Sequence, residues 1–293
     1  MEGQRSIVMQ GAEPAAGVLY LVGTPIGNTG DLSPRAKTVL AGADRIACED
    51  TRRSGLLLHN LGIKNRLVSF HEHNQATRIP ELLEALENGE AIAVISDAGL
   101  PGISDPGEEL VTAARQQGRT VICVPGPCAA TTALVSSGLP CGRFCFEGFL
   151  PPKATARRTR LLALAPEERT LVFYEAPHRL LTVLEDLLEL LGDRPIAVTR
   201  ELTKRHEEQV GPSVSVALAH FREHPPQGEF TLVLGGAEVS ASERPSDADL
   251  RGQLQALVEG GLSRNDAARQ LARSTGIAKR ELYALLHQDD DTP

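Results

Sequence analysis

The sequence predicts an α/β protein with two α/β domains, followed by a small helical module. Short runs rich in Val, Ile and Leu alternate with longer amphipathic segments from residue 18 onward, a pattern typical of sheets that are covered by helices. The length of 293 residues exceeds the ~100–200 residues of one ordinary domain. A stretch of small and polar residues, 237–246, then separates the last strand-like run from purely helix-like segments, and we predict a linker there.

The first predicted domain spans residues 18–138 and follows a segment, 1–17, that we expect to be a flexible extension. Its strand-like runs are apolar throughout, as strands buried on both faces are, and they cover residues 18–22, 45–48, 67–70, 91–96 and 121–124. Amphipathic segments fill the gaps, at 33–43, 51–61, 74–88 and 107–117. Gly89 and Gly118 directly follow two of these segments, which is where a glycine ends a helix.

The second predicted domain spans residues 139–236, with strand-like runs at 144–149, 170–174, 196–200 and 230–234. Its helix-like segments cover 154–165, 177–191 and 213–221. A helix-turn-helix-like module is predicted over 247–288, with Thr275 and Gly276 in its turn. Residues 246–293 hold six Lys or Arg against eight Asp or Glu, so nucleic-acid binding and packing or dimerisation are both compatible with this module.

Composition narrows the possible functions. A hydrophobic content of 41% fits a soluble globular protein. The net charge of −8 argues against a protein that coats nucleic acid, although a local basic cleft remains possible. No apolar run reaches the ~18 residues of a membrane helix, and the first residues do not resemble a secretion signal. We therefore expect a cytoplasmic protein with no membrane partner. The five cysteines form no Cys-x-x-Cys pair, and we predict reduced thiols and no metal site.

Three loops rich in glycine and proline follow the first, fourth and fifth predicted strands. They cover residues 23–28, 96–107 and 125–130. Ligands of open α/β sheets bind beyond the carboxyl ends of the strands, so these loops are predicted to converge on one pocket. None of them matches the glycine patterns that bind dinucleotides or ATP. A ligand the size of adenosine and without a pyrophosphate, such as S-adenosylmethionine, fits better.

Methyl transfer from a sulfonium is an in-line displacement in which positioning supplies most of the catalysis, but a hydroxyl acceptor still benefits from a base. The candidate catalytic residues follow the second and third predicted strands, and they are Glu49, Asp50, Arg52 and His71. Glu49 and Asp50 equally suit the start of a helix. His71 and His73 have no clear third ligand, which favours a polar wall facing the substrate over a metal.

Two groups of basic residues could neutralise phosphates of a local RNA strand despite the acidic total. The candidate RNA-binding residues are Arg53, Lys153, Arg157, Arg158, Arg160 and Lys204. The alternative for residues 157–160 is an ordinary solvated helix face.

Several motifs together resemble one family in order and spacing, the small-subunit ribosomal RNA cytidine 2′-O-ribose methyltransferases of the tetrapyrrole methylase superfamily. The motifs are VGTPIGN at 22–28, EDTR at 49–52, FHEHN at 70–74, the loop at 96–107, PGP at 125–127, FEGFLP at 146–151, FYEAPHR at 173–179, RELTK at 200–204 and GEFTLV at 228–233. The resemblance covers about residues 18–236. It implies an S-adenosylmethionine cleft between the domains, a homodimer, and 2′-O-methylation of a cytidine in the decoding region of 16S rRNA in the small ribosomal subunit.

The resemblance also implies which residues line the cofactor: Pro25, Asp97, Ala98, Gly99, Ile103, Ser104, Pro125, Ala129, Ala130, Phe173, Tyr174 and Thr231. Leu100 and Cys128 stand where the family has Thr and Ser. The nearest alternative is a relative that methylates a corrinoid or sirohaem precursor, whose carboxylates Arg and Lys would also pair. A nucleic-acid-binding module with a vestigial catalytic fold is the alternative from another class. The intact loops weigh against it, and the helical module favours RNA over a tetrapyrrole.

Overall fold

A computed structural model describes residues 14–238 and 245–286. Its contacts divide the chain into two compact units, Met1–Ala237 and Glu238–Pro293. Most of the predicted extension, most of the predicted linker, and the last two residues of the predicted helical module lie outside the described residues. Within the described residues, none of the helices has both the length and the apolar character that crossing a membrane requires.

The first unit begins with a sheet whose strands are β1 (Val18–Val22), β2 (Arg45–Cys48), β3 (Leu67–Ser69), β4 (Ile92–Ile95) and β5 (Thr120–Val124). All of them pair in parallel, in the order β3-β2-β4-β1-β5. Alternate residues of β1 enter cores on opposite faces, Leu19 on one and Tyr20 on the other. Burial on both faces explains why the strands read as continuous apolar runs.

The α-helices described alongside this sheet are α1 (Pro34–Gly42), α2 (Thr51–Asn60), α3 (Gln75–Glu87), α4 (Glu108–Gln116) and α5 (Ala129–Ser136). Gly89 and Gly118 have φ values of 88° and 69° beyond the ends of α3 and α4, as a terminating glycine requires. The sequence did not predict α5. Its residues are small or apolar with little periodicity, and a Pro-Gly-Pro turn precedes them, so the amphipathic pattern that identifies a helix is missing.

A second sheet follows in the same unit, with strands β6 (Phe144–Phe149), β7 (Thr170–Glu175), β8 (Ile196–Arg200), β9 (Glu208–Val210) and β10 (Phe230–Leu234). Their order is β6-β7-β10-β8-β9, and only β6 and β7 pair in parallel. Its helices are α6 (Ala154–Leu164), α7 (Pro177–Leu191) and α8 (Val214–Glu223). The edge strand β9 was not predicted, because three residues with two polar side chains carry no recognisable alternation.

Helix α5 joins the two sheets. Its residues Ala133 and Leu134 share a buried cluster with Val172 of β7 and Val233 of β10. The neighbouring positions in those strands, Phe173 and Leu232, point to the core on the opposite face, as the two-residue repeat of a strand requires. The carboxyl edge of the first sheet is thereby held against one face of the second.

The second compact unit contains α9 (Asp247–Glu259), α10 (Arg264–Thr275) and α11 (Lys279–Leu285). The hydroxyls of Ser246 and Ser263 accept backbone N–H groups at the starts of α9 and α10, which are ordinary N-caps. Gly276 ends α10 in the left-handed region, at φ 71°. The core of this unit contains Leu250, Leu254, Ala267, Ala268, Leu271, Leu282 and Leu285.

Candidate active site

A cavity of about 300 Å³, called here the first cavity, is lined from both sheets of the first unit. The loop that follows β4, residues 96–107, forms one side of it and is called the β4 loop. The start of α5 contributes Cys128 and Ala129, and the opposite side comes from the ends of β6 and β7 and the start of β10. A cavity of this volume lies within the ~300–1,000 Å³ range of small-molecule sites.

Backbone contacts between the three glycine-rich loops fix the floor of the first cavity. The Thr24 N–H donates to the Gly99 carbonyl at 2.8 Å, and the Gly99 N–H donates back at 3.1 Å. Gly99 makes this turn at φ 87°, which favours glycine. A Cβ built on Gly23 would lie 2.6 Å from the Cα of Gly126, so the first and third loops touch through bare backbone. The prediction that these loops converge is confirmed.

An aromatic cluster forms another side of the first cavity. The ring of Tyr174 lies 5.0 Å from that of Phe146 and 5.6 Å from that of Phe149, measured between centroids. The Tyr174 hydroxyl accepts the backbone N–H of Ala130 at 3.1 Å. Burial raises the pKa of Tyr174 above its ordinary value, so this hydroxyl stays protonated near neutral pH. Phe149 is 54% exposed and offers an aromatic face to a ligand.

Seven of the predicted cofactor residues line the first cavity: Ala98, Gly99, Ile103, Ser104, Ala129, Tyr174 and Thr231. The other five, Pro25, Asp97, Pro125, Ala130 and Phe173, are not among its lining residues. Phe173 is fully buried in the core on the opposite face of β7, which corrects its assignment. The Asp97 carboxylate accepts the Asp50 N–H at 3.3 Å and pairs with Arg53 at 3.1 Å, so it holds the start of α2.

Sequence reasoning missed several residues of the first cavity. All but Phe149 lie within three residues of a predicted cofactor residue, and they are Ile26, Leu100, Asp105, Cys128, Phe149, Glu175, Ala176, Pro177, Gly228, Glu229 and Phe230. Both family departures, Leu100 and Cys128, are among them, and the Cys128 sulfur lies 4.0 Å from the Tyr174 hydroxyl. The FYEAPHR motif at 173–179 pointed to this region, but the sequence does not show which of its side chains face the cavity.

Glu175 is the most deeply buried carboxylate of the first cavity, with 2% of the residue exposed. Its Oε1 accepts the Ala176 N–H at 2.8 Å and lies 3.3 Å from the Arg179 guanidinium. Its Oε2 is buried and has no hydrogen-bond partner. Burial raises the pKa of Glu175. An unsatisfied buried acceptor is costly, and a ligand that donates a hydrogen bond would remove that cost.

A second cavity of about 360 Å³ adjoins the first and is lined mainly by acidic side chains: Glu49, Glu72, Gln75, Gly102, Ser104, Asp105, Pro106, Glu108 and Glu109. Ser104 and Asp105 of the β4 loop line both cavities. Burial, followed by the charge of Asp97, raises the pKa of Glu49. Burial, followed by the charge of Glu49, raises the pKa of Asp105 to about 6.

The β4 loop reaches the second cavity through an unusual backbone. Ser104 has a φ of 60°, a left-handed value for a residue that is not glycine. A Cβ added to Gly148 would lie 3.1 Å from the Ser104 hydroxyl oxygen. Gly148 occupies the register shift between β6 and β7, so the irregular strand accommodates the loop.

Of the four candidate catalytic residues, Glu49 lines the second cavity, whereas Asp50, Arg52 and His71 do not. Asp50 caps α2, accepting the Arg52 N–H at 2.8 Å and the Arg52 guanidinium at 2.9 Å. These bonds lower the pKa of Asp50 to about 2, which makes it a poor base. Asp50 therefore caps the start of a helix, which was the alternative to a catalytic role in the sequence analysis. Among the described residues, no group of three His, Cys, Asp or Glu is arranged to hold a metal ion.

The candidate RNA-binding cations are mostly paired with acids from other elements. Arg157 is buried, and its Nε lies 2.7 Å from an Asp186 oxygen, which corrects its assignment to an RNA-facing surface. Asp186 also binds Arg158 at 2.6 Å. Arg160 lies 2.6 Å from Glu147. The sequence shows these cations with no acid nearby, because their partners lie on α7 and β6.

The remaining three candidate cations lie elsewhere. Lys153 is exposed at the start of α6. Lys204 pairs with Glu201 at 3.0 Å and with Glu229, which lines the first cavity, at 2.8 Å. Arg53 pairs with Asp97, yet its side chain is 73% exposed.

Comparison with known proteins agrees with this geometry. The family described as Tetrapyrrole (Corrin/Porphyrin) Methylases matches residues 18–216. A Synechocystis protein named "Ribosomal RNA small subunit methyltransferase I" is 50% identical over 92% of this chain and 97% of its own length. A protein of that name from Escherichia coli O157:H7 is 46% identical over 94% of this chain and 96% of its own. A crystal structure of uroporphyrin-III-C-methyltransferase from Thermus thermophilus superposes with a TM-score of 0.54 at 25% identity, covering 74% of this chain and 94% of that one.

Proposed function

The chain belongs to the tetrapyrrole methylase family, and we propose that it is an S-adenosylmethionine-dependent methyltransferase that acts on small-subunit ribosomal RNA. Identity near one half, over nearly the full length of relatives with that name, carries the proposal. Following the resemblance in the sequence, we propose the 2′-hydroxyl of a cytidine in the decoding region of 16S rRNA as the acceptor. By the same resemblance, we propose a cytoplasmic homodimer.

The first cavity fits S-adenosylmethionine. Phe149 and Tyr174 offer aromatic faces for an adenine. Glu175 Oε2 is an acceptor without a partner, suited to an amino or hydroxyl group of the cofactor. The backbone of Gly99 allows close approach, since no side chain intervenes. When bound, the cofactor supplies an electrophilic methyl group on a sulfonium. The carboxylates of Glu175 and Asp105 near the cavity favour that positive charge.

The second cavity is suited to the acceptor nucleoside. Its carboxylates can accept hydrogen bonds from ribose hydroxyls and from the amino group of cytosine, a pairing that Asp and Glu make with this base. The same carboxylates, Glu49, Glu72, Asp105, Glu108 and Glu109, would repel a tetrapyrrole precursor that carries several carboxylates of its own. The charge of this cavity therefore favours RNA over the family's other substrate class.

Phosphates of the RNA need cations outside the second cavity. The side chains of Arg52 and Arg53 are 90% and 73% exposed, and they lie three and four residues after Glu49 in the chain. We propose that these two arginines position the backbone on one side, and that Lys153, Arg158, Arg160 and Lys204 extend the contact on the second sheet. Such contacts would weaken as salt concentration rises.

The test is to incubate the protein with labelled S-adenosylmethionine and, separately, 30S subunits, naked 16S rRNA and a tetrapyrrole precursor, then to map the label. The proposal expects label at one ribose of 16S rRNA in at least one of the ribosomal substrates. Label on the tetrapyrrole alone would refute it. Replacing Arg52 and Arg53 by Gln should reduce RNA methylation and the salt dependence of binding together, while cofactor affinity stays unchanged.

A further inference from the structure

The second compact unit separates its charges between helices. Helix α9 carries three Asp or Glu against one arginine, whereas α10 and α11 with the turn between them carry five Lys or Arg against two Asp or Glu. The match to the methylase family ends at residue 216, before this unit begins. The shared methylase fold therefore does not account for these cations.

Four exposed cations lie on the outer side of α10 and α11 and are called here the basic surface: Arg269, Arg273, Lys279 and Arg280. The first two are one turn apart on α10, on the side opposite its core residues. The other two open α11. Only the short turn at residues 276–278 separates the two pairs, so they are neighbours on the surface of this unit.

Three of these cations have no acidic partner. Among residues 14–238 and 245–286, Arg273, Lys279 and Arg280 make no ion pair, whereas Arg269 lies 3.0 Å from Asp266. Asp266 precedes Arg273 by two turns, ~10 Å along the helix, which is about one Debye length. The candidate cations of the second sheet differ, because most of them are already neutralised by acids. The basic surface keeps its positive charge for an external partner.

Fold stability does not explain why two of these cations are where they are. Lys279 and Arg280 occupy the first turn of α11, where the helix dipole disfavours a positive charge. They also repel each other, and a polyanion lying across them would offset both costs. Tyr283, 39% exposed, follows Lys279 by one turn on the same side. Its ring can stack on a base, which favours a nucleic acid over an inorganic anion.

We propose that the basic surface binds the phosphate backbone of the substrate RNA, outside the nucleotide that is methylated. The identity of that RNA rests on the proposed function. Interfaces between identical subunits are rich in apolar side chains and poor in Lys, so a second copy of this chain is a poorer fit. Phosphate contacts position an RNA without reading its sequence. The basic surface would therefore add affinity and leave the choice of nucleotide to the second cavity.

The experiment combines Arg273→Gln, Lys279→Gln and Arg280→Gln in the full chain, called here the triple variant. Binding to naked 16S rRNA and to 30S subunits is measured at several salt concentrations. We expect both affinities to fall by at least about tenfold. The slope of log K against log salt should become shallower by about 2–3, since each lost phosphate contact removes ~0.7–0.9. KM for the RNA should rise, while kcat at saturating RNA and the cofactor Kd stay unchanged.

Two further variants serve as controls. Lys37→Gln, Lys64→Gln and Arg222→Gln together remove the same charge from exposed positions of the first unit, and they should leave the salt slope nearly unchanged. Arg273→Lys, Lys279→Arg and Arg280→Lys together keep the charge of the basic surface and should keep most of the affinity. All three variants should unfold at the wild-type Tm, because every replaced side chain is exposed and Gln, Lys and Arg have similar helix propensities.

A triple variant with the RNA affinity and salt slope of the wild type, or with a loss no larger than that of the first-unit control, would overturn the inference. A changed oligomeric state in sedimentation would also overturn it, by assigning the basic surface to a second copy. Loss of binding to 30S subunits alone, with naked 16S rRNA still bound, would assign it to a ribosomal protein instead. A wild type that binds RNA through this surface but methylates no ribosomal substrate would refute the proposed function and leave this inference standing.

Discussion

Replacing Asp105 by Asn should stabilise the folded protein at neutral pH. The pKa of Asp105 is raised from an ordinary 3.8 to about 6, chiefly by burial and then by Glu49. A raised carboxyl pKa means that the folded state binds a proton more tightly than the unfolded state does. The contribution of this group to stability is therefore present below about pH 4 and is lost as pH rises through 6. Asparagine has no charge to bury and avoids that loss.

The expected gain in stability follows from the size of the pKa shift of Asp105. Two pH units correspond to about 3 kcal/mol, and solvent screening of a partly exposed side chain reduces this, so we expect ~1.5–3 kcal/mol at pH 7.5. For a folded domain of this size, each kcal/mol added to the free energy of unfolding raises Tm by about 2–4 °C. Thermal unfolding would be followed at several pH values from 5 to 8 for the wild type, Asp105→Asn and Glu84→Gln, which changes an exposed carboxylate on α3.

The gap in Tm between wild type and Asp105→Asn should widen as pH rises from 5 to about 7 and then stay constant. Glu84→Gln controls for the loss of one negative charge and should show no such trend. An asparagine variant that is less stable at every pH would refute the reasoning, because it would show that the charged carboxylate is favourably solvated or paired. Residues that line ligand sites often have this cost, since the same burial that raises a pKa destabilises the fold.

The remaining predictions concern the contacts between loops and the ion pairs of the second sheet. Gly126→Ala should lower Tm and abolish cofactor binding, because its Cβ would lie 2.7 Å from the Gly23 backbone. Gly142→Ala should be nearly neutral, because the space around that residue is open. Equal effects of the two variants in calorimetry would contradict this prediction. Asp186→Ala should cost about 3–5 kcal/mol in urea unfolding, since it leaves the buried Arg157 unpaired. Glu189→Gln, which removes an exposed partner of Arg158, should cost under about 1 kcal/mol.

The sequence predicts the strands of the first sheet well, because burial on both faces leaves a continuous apolar run whatever the neighbours are. It predicts α3 and α4 almost to the residue, since glycines stand directly after them. It misses α5 for the opposite reason. One side of that helix packs against the second sheet, but its exposed side includes the apolar Val135, so the sequence has no clear periodicity to recognise.

Site residues are predictable only as far as local sequence reveals their neighbours. The β4 loop stands out for its glycines and prolines, but nothing in the sequence shows that Asp97 turns toward Arg53 while Asp105 faces two cavities. Arg157 looks like a surface cation until Asp186, 29 residues later, is placed beside it. Tertiary packing determines both arrangements, and the local sequence carries no information about it.

The charge distribution explains how an acidic protein can act on RNA. Phosphates need cations, but the methylated atom is a neutral hydroxyl that must reach a sulfonium. On the proposed assignment, the carboxylates of the second cavity would repel phosphates from the reacting position and accept hydrogen bonds from hydroxyl and amino groups. The exposed Arg52 and Arg53 lie three and four residues beyond Glu49, where the backbone of a bound strand would pass. A net charge of −8 is therefore compatible with an RNA substrate, because the acids at the second cavity and the exposed arginines would contact different parts of the bound strand.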